Sequence, residues 1–460
     1  MKQRLSTGIK LLYSLAEMGF SMLRSVGDFF LLFYYTDVAG IDPALVGTAL
    51  LLGKLTWDAI NDPLFGYWSD RTRSRFGRRR IYMLIGALPV ALACWIQLSL
   101  PYGLTGIAAF LAVLFTFWLK DTFLTVFVVP YWAMAPELTH DYRERSSLAT
   151  YRGVCNITGY ILGAAGTTML AGFFRGNGLN LQQAWSATGL TYGIVAMMLF
   201  LITTFAVKEP AELAGKPSAL PAFKSVIMCF KNRPFVILVA VFILTWFGNV
   251  VQSALFPYLL QYRLNMTAEI PTVLIVLLLT TAVCIIPIKL LADKINKGPA
   301  YAVGLGVAAL TLVCTYFFLP TSPTPLIYVM AVLLGMGLSA QWFFPFAMMP
   351  DVIEHDEKMT GERREGVHQG ISNFITKLAV ALGTAVPAWA LAWFGYVPNM
   401  VQTDNTQWGI LFVFSIVPAV SYLACLPLLL RYPITRKSHA ALLEELDEKK
   451  NVERRSKSLK

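Results

Sequence analysis

A chain of 460 residues that is 56% hydrophobic and only 14% charged, with a mean hydropathy of +0.58, lies outside the range of water-soluble globular domains and belongs in a bilayer. Its net charge of +11 sits in short loops on one side of the expected membrane spans, so topology accounts for it and nucleic acid is excluded as a partner. The six cysteines stand singly in apolar stretches, without the paired spacing of a zinc site or a secreted disulfide framework, and read as small core residues.

Apolar runs of about 20 residues, the length a helix needs to cross the hydrocarbon core, predict twelve spans. In chain order they lie near 11–35, 44–68, 80–100, 105–135, 147–172 and 186–206, then 235–261, 270–292, 299–319, 325–349, 367–395 and 407–431. The first contains Glu17, Arg24 and Asp28 and has no small-x-small cleavage site after it, so it reads as a retained span and not a signal peptide. The stretch 208–234, with Pro210, Pro217, Pro221 and Pro234 and several charges, reads as a cytoplasmic linker between two six-helix halves, 1–207 and 235–431. Residues 432–460 form a polar, mixed-charge cytoplasmic tail with a short helix expected at 440–449.

Lys2, Arg4, Lys10, Arg71, Arg73, Arg75, Arg78, Arg79, Arg80, Arg143, Arg145, Lys294, Lys297, Lys358, Arg363 and Arg364 fall on one side of these spans, and only Arg175 and Arg263 on the other. The excess of basic residues marks the cytoplasmic side. Both termini are therefore expected in the cytoplasm. A weak internal repeat supports the two halves: Asp70 and Arg71 end the second span, and Asp293 and Lys294 end the eighth.

Ionisable residues inside the spans are the next signal, since each costs about 2.5–3.5 kcal/mol at the centre of an isolated helix. Glu17, Ser21, Arg24 and Asp28 follow at helical spacing and make one polar stripe on the first span. Lys54, Asp58, Asn61 and Asp62 do so on the second, Lys120, Asp121 and Thr125 on the fourth, Arg152 on the fifth and Lys377 on the eleventh. Such groups either clamp helices to one another or serve a solute. Two carboxylates one turn apart, with Asn61 between them, offer the hard oxygens that Na⁺ prefers, while a proton needs only one carboxylate. Lys377 is a mobile positive charge able to occupy that acidic site when the cation is absent. Trp57, Trp118, Trp132 and Trp342 lie in or near the polar spans, where an indole face suits a sugar ring.

These residues carry a family resemblance. Trp57-Asp58-Ala59-Ile60-Asn61-Asp62-Pro63, then Arg73-Ser74-Arg75-Phe76-Gly77-Arg78, then Pro350-Asp351 with Glu354-His355-Asp356-Glu357 and Thr360-Gly361-Glu362-Arg363-Arg364-Glu365-Gly366, resemble the glycoside-pentoside-hexuronide:cation symporters of the major facilitator superfamily. The resemblance runs from Tyr34-Tyr35-Thr36-Asp37 to Lys377. It implies an all-α membrane protein of twelve transmembrane helices with that superfamily's fold. It also implies a cation site at Asp58, Asn61, Asp62 and Thr125, with Na⁺ on Asp58 and Asp62, and a coupling role for Lys377. Trp132, Arg152 and Trp342 match positions that line a sugar cavity. Where a sugar-gripping member of the family has aspartates, this chain has Ser21 and Val128. Ser21, Arg24, Lys120, Asp121 and Asn373 complete the candidate substrate set, and the added Arg24 and Lys120 are compatible with an anionic solute.

At the cytoplasmic mouth, Asp70, Arg71, Arg78, Arg143 and Arg145 of the first half are expected to face Asp351, Glu354, Glu357 and Arg363 of the second as gate pairs. The function implied is symport of a sugar, glycoside or uronide with a monovalent cation, Na⁺ before H⁺. The chain is expected to act by alternating access, as a monomer in the plasma membrane, the inner membrane in a bacterium, with no cofactor. Sodium-dependent transport of a lysophospholipid is the alternative. A membrane enzyme built on His355, Asp356 and Glu357 is the remote one.

Overall fold

The computed structural model describes residues 5–139, 141–207, 228–361, 364–442, 444–445 and 448. Twelve helical rods form among them, one for each expected span. They are α1 Thr7–Phe33, α2 in two parts (Pro43–Gly53 and Ala59–Arg71, joined by the π turn Lys54–Asp58), α3 Arg80–Gln97, α4 Gly106–Leu138, α5 Tyr142–Gly176 and α6 Leu181–Ala206. The second set is α7 Arg233–Tyr258, α8 Ile270–Ile295, α9 Lys297–Phe318, α10 Leu326–Thr360, α11 Glu365–Trp393 and α12 Asp404–Leu430. Ten are long and apolar enough to cross a membrane. The other two, α1 and α2, are the ones that carry the Glu17 and Asp58 stripes.

Local chemistry sets several of the ends. The Ser6 hydroxyl accepts from the Ile9 amide at the start of α1, and the Asp42 carboxylate accepts from Ala44 and Leu45 just before Pro43. Asn180 and Gln183 form a reciprocal capping box on α6. Gly361, at φ +75°, stops α10 in a left-handed conformation.

The packing repeats. In the first set α1 packs on α5 and α6, α2 on α4, α3 on α4 and α6, and α5 on α6. Adding six to every number gives pairs that recur in the second set, α7 on α11 and α12, α8 on α10, α9 on α10 and α12, and α11 on α12, where α8 also packs on α9 and α7 on α10. The contacts between sets are reciprocal as well, α2 on α11 and α5 on α8, with α1 on α7 along the centre. Small residues permit the closest of these approaches. A Cβ on Gly159 or Gly163 of α5 would lie 2.1 Å from the Met18 carbonyl oxygen or the Ser25 hydroxyl of α1, so the two backbones touch there.

Away from the Arg-rich loops the two sets are sealed together. The Thr36 hydroxyl meets that of Tyr258 at 2.6 Å, the buried Asp37 carboxylate accepts from Tyr262 and, at 2.6 Å, from Tyr396, and Asn399 donates to the Asp37 carbonyl. At the Arg-rich end the tail helix begins at residue 436, four residues before its expected start, and docks on α10: His439 lies 2.6 Å from Glu354, and Lys358 pairs with Glu445. The stretch 208–227, most of the expected linker, lies outside the described residues.

Candidate functional site

The residues of α2, α4 and α11 converge on one acidic cluster. Asp58 closes the π turn and Asp62 follows one helical turn later, so their carboxylates share a face. A π turn inserts an extra residue into the helix and is often found at functional sites. Pro63 lacks an amide hydrogen and leaves the Ala59 carbonyl without its helical donor. The Lys377 ammonium reaches in from α11 and donates to Asp58 Oδ1 at 2.5 Å, the Asp58 carbonyl at 2.6 Å and Asp62 Oδ2 at 2.6 Å. Asn61 donates to Asp121 Oδ2 at 2.6 Å, while its own Oδ1 is buried with no partner. Thr125 is buried beside Asp62. Two carboxylates thus share one lysine, a third accepts from Asn61, and the buried Oδ1 of that amide is left without a donor. That donor set fits a monovalent cation, which would take oxygens that the ammonium holds here.

Asp121 therefore lies with Asn61 in this acidic cluster. The sequence places it among the substrate candidates with Lys120, but in the structure the two side chains part. The Lys120 ammonium points at Gly27 of α1 and makes no ion pair or hydrogen bond among the described residues.

A second cluster sits between α1, α4 and α5. Arg152 donates to Glu17 Oε2 through Nε at 3.1 Å and Nη2 at 2.8 Å, Asn156 donates to Glu17 Oε1, and the guanidinium stands 5.4 Å from the Tyr131 ring centre. Arg152 is thus committed to an acid, whereas Lys120 makes no ion pair among the described residues. Glu17 is the residue that the sequence leaves without a role, and its helical spacing to Ser21 and Arg24 is the signal that marks it. Arg24 sits 3.5 Å from Asp28, which also accepts from Tyr160, and lies over the Trp246 ring of α7. Trp342 packs edge-on between Tyr160 and Trp246, while Trp132 is partly exposed against Phe20. Asn373, one turn before Lys377, is exposed and accepts from Gln369.

Ser21 does not join them. Its hydroxyl is buried in the α1–α5 seam, donates to the Glu17 carbonyl and would lie 2.4 Å from a Cβ on Gly159. Close backbone packing claims this side chain, which corrects the expectation that it lines a solute cavity.

The gate pairs also differ from expectation. Among the described residues, ion pairs at the Arg-rich end join groups of the same half. Arg79 pairs with Asp70 at 3.0 Å and Glu137 at 2.9 Å, Arg78 pairs with Glu137 at 3.1 Å, Arg145 donates to the Thr139 carbonyl, and Arg71 stacks on Tyr67. On the other side Asp351 holds Lys297 at 2.6 Å, Glu354 holds His439 and Asp356 holds Arg364 at 2.5 Å, with Glu357 buried nearby. Among the described residues the expected pairs of Arg78 and Arg145 with Asp351, Glu354 or Glu357 are replaced by contacts within the first half, Glu137 for Arg78 and the Thr139 carbonyl for Arg145. Arg363 and the Arg143 side chain lie outside the described residues. Asp356, one of the three residues of the remote enzyme reading, is held by Arg364 in an almost wholly buried pair.

Residues 12–436 match the family model described as MFS/sugar transport protein. An uncharacterised symporter of Synechocystis, sll1374, is 28% identical, the alignment covering 96% of this chain and 97% of the relative. The isoprimeverose transporter of Lactiplantibacillus pentosus is 25% identical over 95% of this chain and 90% of its own. Among solved structures, a D-xylose–proton symporter superposes with a TM-score of 0.64 at 14% identity, covering 93% of this chain and 98% of that one, which is a likeness of fold. The chain is a member of the MFS/sugar transport family, an integral multi-pass membrane protein that carries a small solute together with a cation and is not an enzyme.

Proposed function

We propose that the protein is a Na⁺-coupled symporter of a sugar or glycoside, with Na⁺ bound at Asp58 and Asp62 and completed by Asn61 and Thr125. The observation that carries this reading is Lys377 lodged between the two aspartates. An ammonium there holds the acidic site neutral and ties α11 to α2. Sodium entry displaces it and frees α11, the helix that also carries Asn373, so ion binding alters the wall of the solute cavity. Binding of one ligand then changes affinity for the other, which is the coupling a symporter needs. The paired Glu17 and Arg152 offer an acceptor and a planar donor to sugar hydroxyls, and Trp132 offers a face for the ring. In this reading each half of six helices moves as a body, both termini lie in the cytoplasm, the membrane is a bacterial inner membrane and one chain suffices.

A uronide is the second reading, favoured by Lys120, whose ammonium lacks a partner among the described residues. The deciding experiment is uptake into proteoliposomes of radiolabelled xylose, isoprimeverose, a uronide and a lysophosphatidylcholine, each under a Na⁺ gradient, a proton gradient and neither. Na⁺-driven accumulation of a sugar supports the reading. Proton-driven uptake, or uptake of the lysolipid alone, overturns it.

A further inference from the structure

Two carboxylates and an imidazole meet at the Arg-rich end, away from the acidic cluster of α2 and α11. Asp351 and Glu354 lie three residues apart on α10, so they share a face, and His439 of the tail helix closes on both. His439 Nε2 stands 2.6 Å from Glu354 Oε2 and 3.6 Å from Asp351 Oδ1, and one ligand atom from each residue lies within 4.8 Å of the other two. Zinc holds imidazole nitrogen and carboxylate oxygen at about 2.0–2.2 Å, which sets tetrahedral ligands about 3.3 Å apart. The two measured separations bracket that value, so small side-chain shifts admit an ion.

The surroundings suit a dication. The Lys297 ammonium steadies Asp351, bonding Oδ2 at 2.6 Å and Oδ1 at 2.9 Å, and is itself anchored on the Ala347 carbonyl at 2.8 Å. Two carboxylates against that ammonium leave negative charge for a cation to meet. The Glu354 and His439 side chains are 19% and 25% exposed, which gives an ion a way in from solvent.

A separate observation comes from Tyr432, just after α12. The residue is 7% exposed, and its buried hydroxyl has no partner among the described residues. Burial, and then the Asp351 carboxylate, push this phenol well above its usual range, so the hydroxyl stands on the Asp351 side. Buried polar groups are hydrogen-bonded with few exceptions. A water in the fourth position of an ion held here would accept from this hydroxyl, which becomes an outer partner of the site.

We propose that Asp351, Glu354 and His439 form a Zn²⁺ site that staples the C-terminal tail to α10. The imidazole favours a zinc-like ion over Mg²⁺ and Ca²⁺, which take oxygen ligands. Weaker ties already bring the tail to this place: the Arg436 amide donates to Asn296 Oδ1 between α8 and α9, and Lys358 of α10 pairs with Glu445. The site is independent of which solute is carried.

The test uses the purified full-length protein, stripped with a chelator and titrated with Zn²⁺ against a chromophoric zinc indicator. One Zn²⁺ per chain should bind with a micromolar or tighter Kd. His439→Gln and Glu354→Gln should each raise that Kd at least tenfold, and Tyr432→Phe should raise it severalfold. An unchanged melting temperature of the metal-free variants separates lost ligation from lost folding. Zn²⁺ should also slow trypsin cleavage after the exposed Lys437 at least fivefold in the unaltered protein and not in His439→Gln, a readout that an ion held elsewhere would leave alone. Equal affinity in all the variants, or displacement of the ion by millimolar Mg²⁺, means an adventitious ion only and overturns the site. Absence of Zn²⁺ binding in the unaltered protein overturns it too.

Discussion

Lys377 and Asp58 stand 2.5 Å apart across 319 residues of sequence, and the same ammonium reaches Asp62 on the next turn. This pairing is the tie between α11 and α2 on which the proposed coupling depends. Replacing either aspartate with cysteine removes a cation ligand while leaving the Glu17–Arg152 pocket in place. Asp58→Cys and Asp62→Cys should abolish accumulation against a gradient but retain solute binding within about tenfold. In the unaltered protein a tenfold ion gradient contributes about 1.4 kcal/mol, and 100 mV about 2.3 kcal/mol per charge, so roughly 500-fold accumulation of a neutral solute is the ceiling for one ion. Uptake against time in proteoliposomes checks both numbers, and unimpaired Na⁺-driven accumulation in both variants would remove the cation assignment.

Lys377→Ala takes away the competitor for the carboxylates. Its expected signature is split: tighter cation binding, by about tenfold or one factor of 1.4 kcal/mol, together with loss of coupled transport. Equilibrium binding of radioactive sodium to the purified variant measures the first and uptake the second. Weaker cation binding would mean that the lysine supports the site instead of competing for it.

The Glu17–Arg152 pair is mostly buried, and removing one partner strands the other charge. Such a loss costs about 3–5 kcal/mol for a fully buried pair and less here, where the Arg152 side chain is 25% exposed. Glu17→Gln and Arg152→Met should each lower the melting temperature in detergent, whereas the double variant should recover most of the loss. Sugar uptake should stay lost in all three. A double variant as unstable as the sum of the singles would show that the two residues do not act as a pair.

Asp37 is the acceptor on which Tyr262 and Tyr396 converge at the sealed end. Asp37→Leu leaves two phenol hydroxyls without their partner, at about 1–3 kcal/mol each, and biases the molecule toward opening there. With the six cysteines replaced by alanine and a single Phe29→Cys placed inside the seal, an impermeant maleimide should react at least fivefold faster in the Asp37→Leu background. An unchanged labelling rate would show that Asp37 does not hold this end shut.

The twelve rods were legible in the sequence, ten of them because an apolar run long enough to cross hydrocarbon has little choice but to be a helix whose backbone satisfies itself. The polar stripes were legible for a related reason: Glu17 to Asp28, and Asp58 to Asp62, lie on single helices, where spacing alone puts side chains on one face. Partners were another matter. Glu17 finds Arg152 across 135 residues, and Asp121 turns to Asn61 and away from the solute candidates beside it. Arg78 and Arg79 are taken by Glu137 before any acid of the other half can reach them. Hydropathy and helical period are properties of a segment, and the sequence by itself determined them. Which charges meet depends on how helices pack, on Gly159 letting α1 and α5 touch and claiming Ser21 for the seam, and only the tertiary structure decided that.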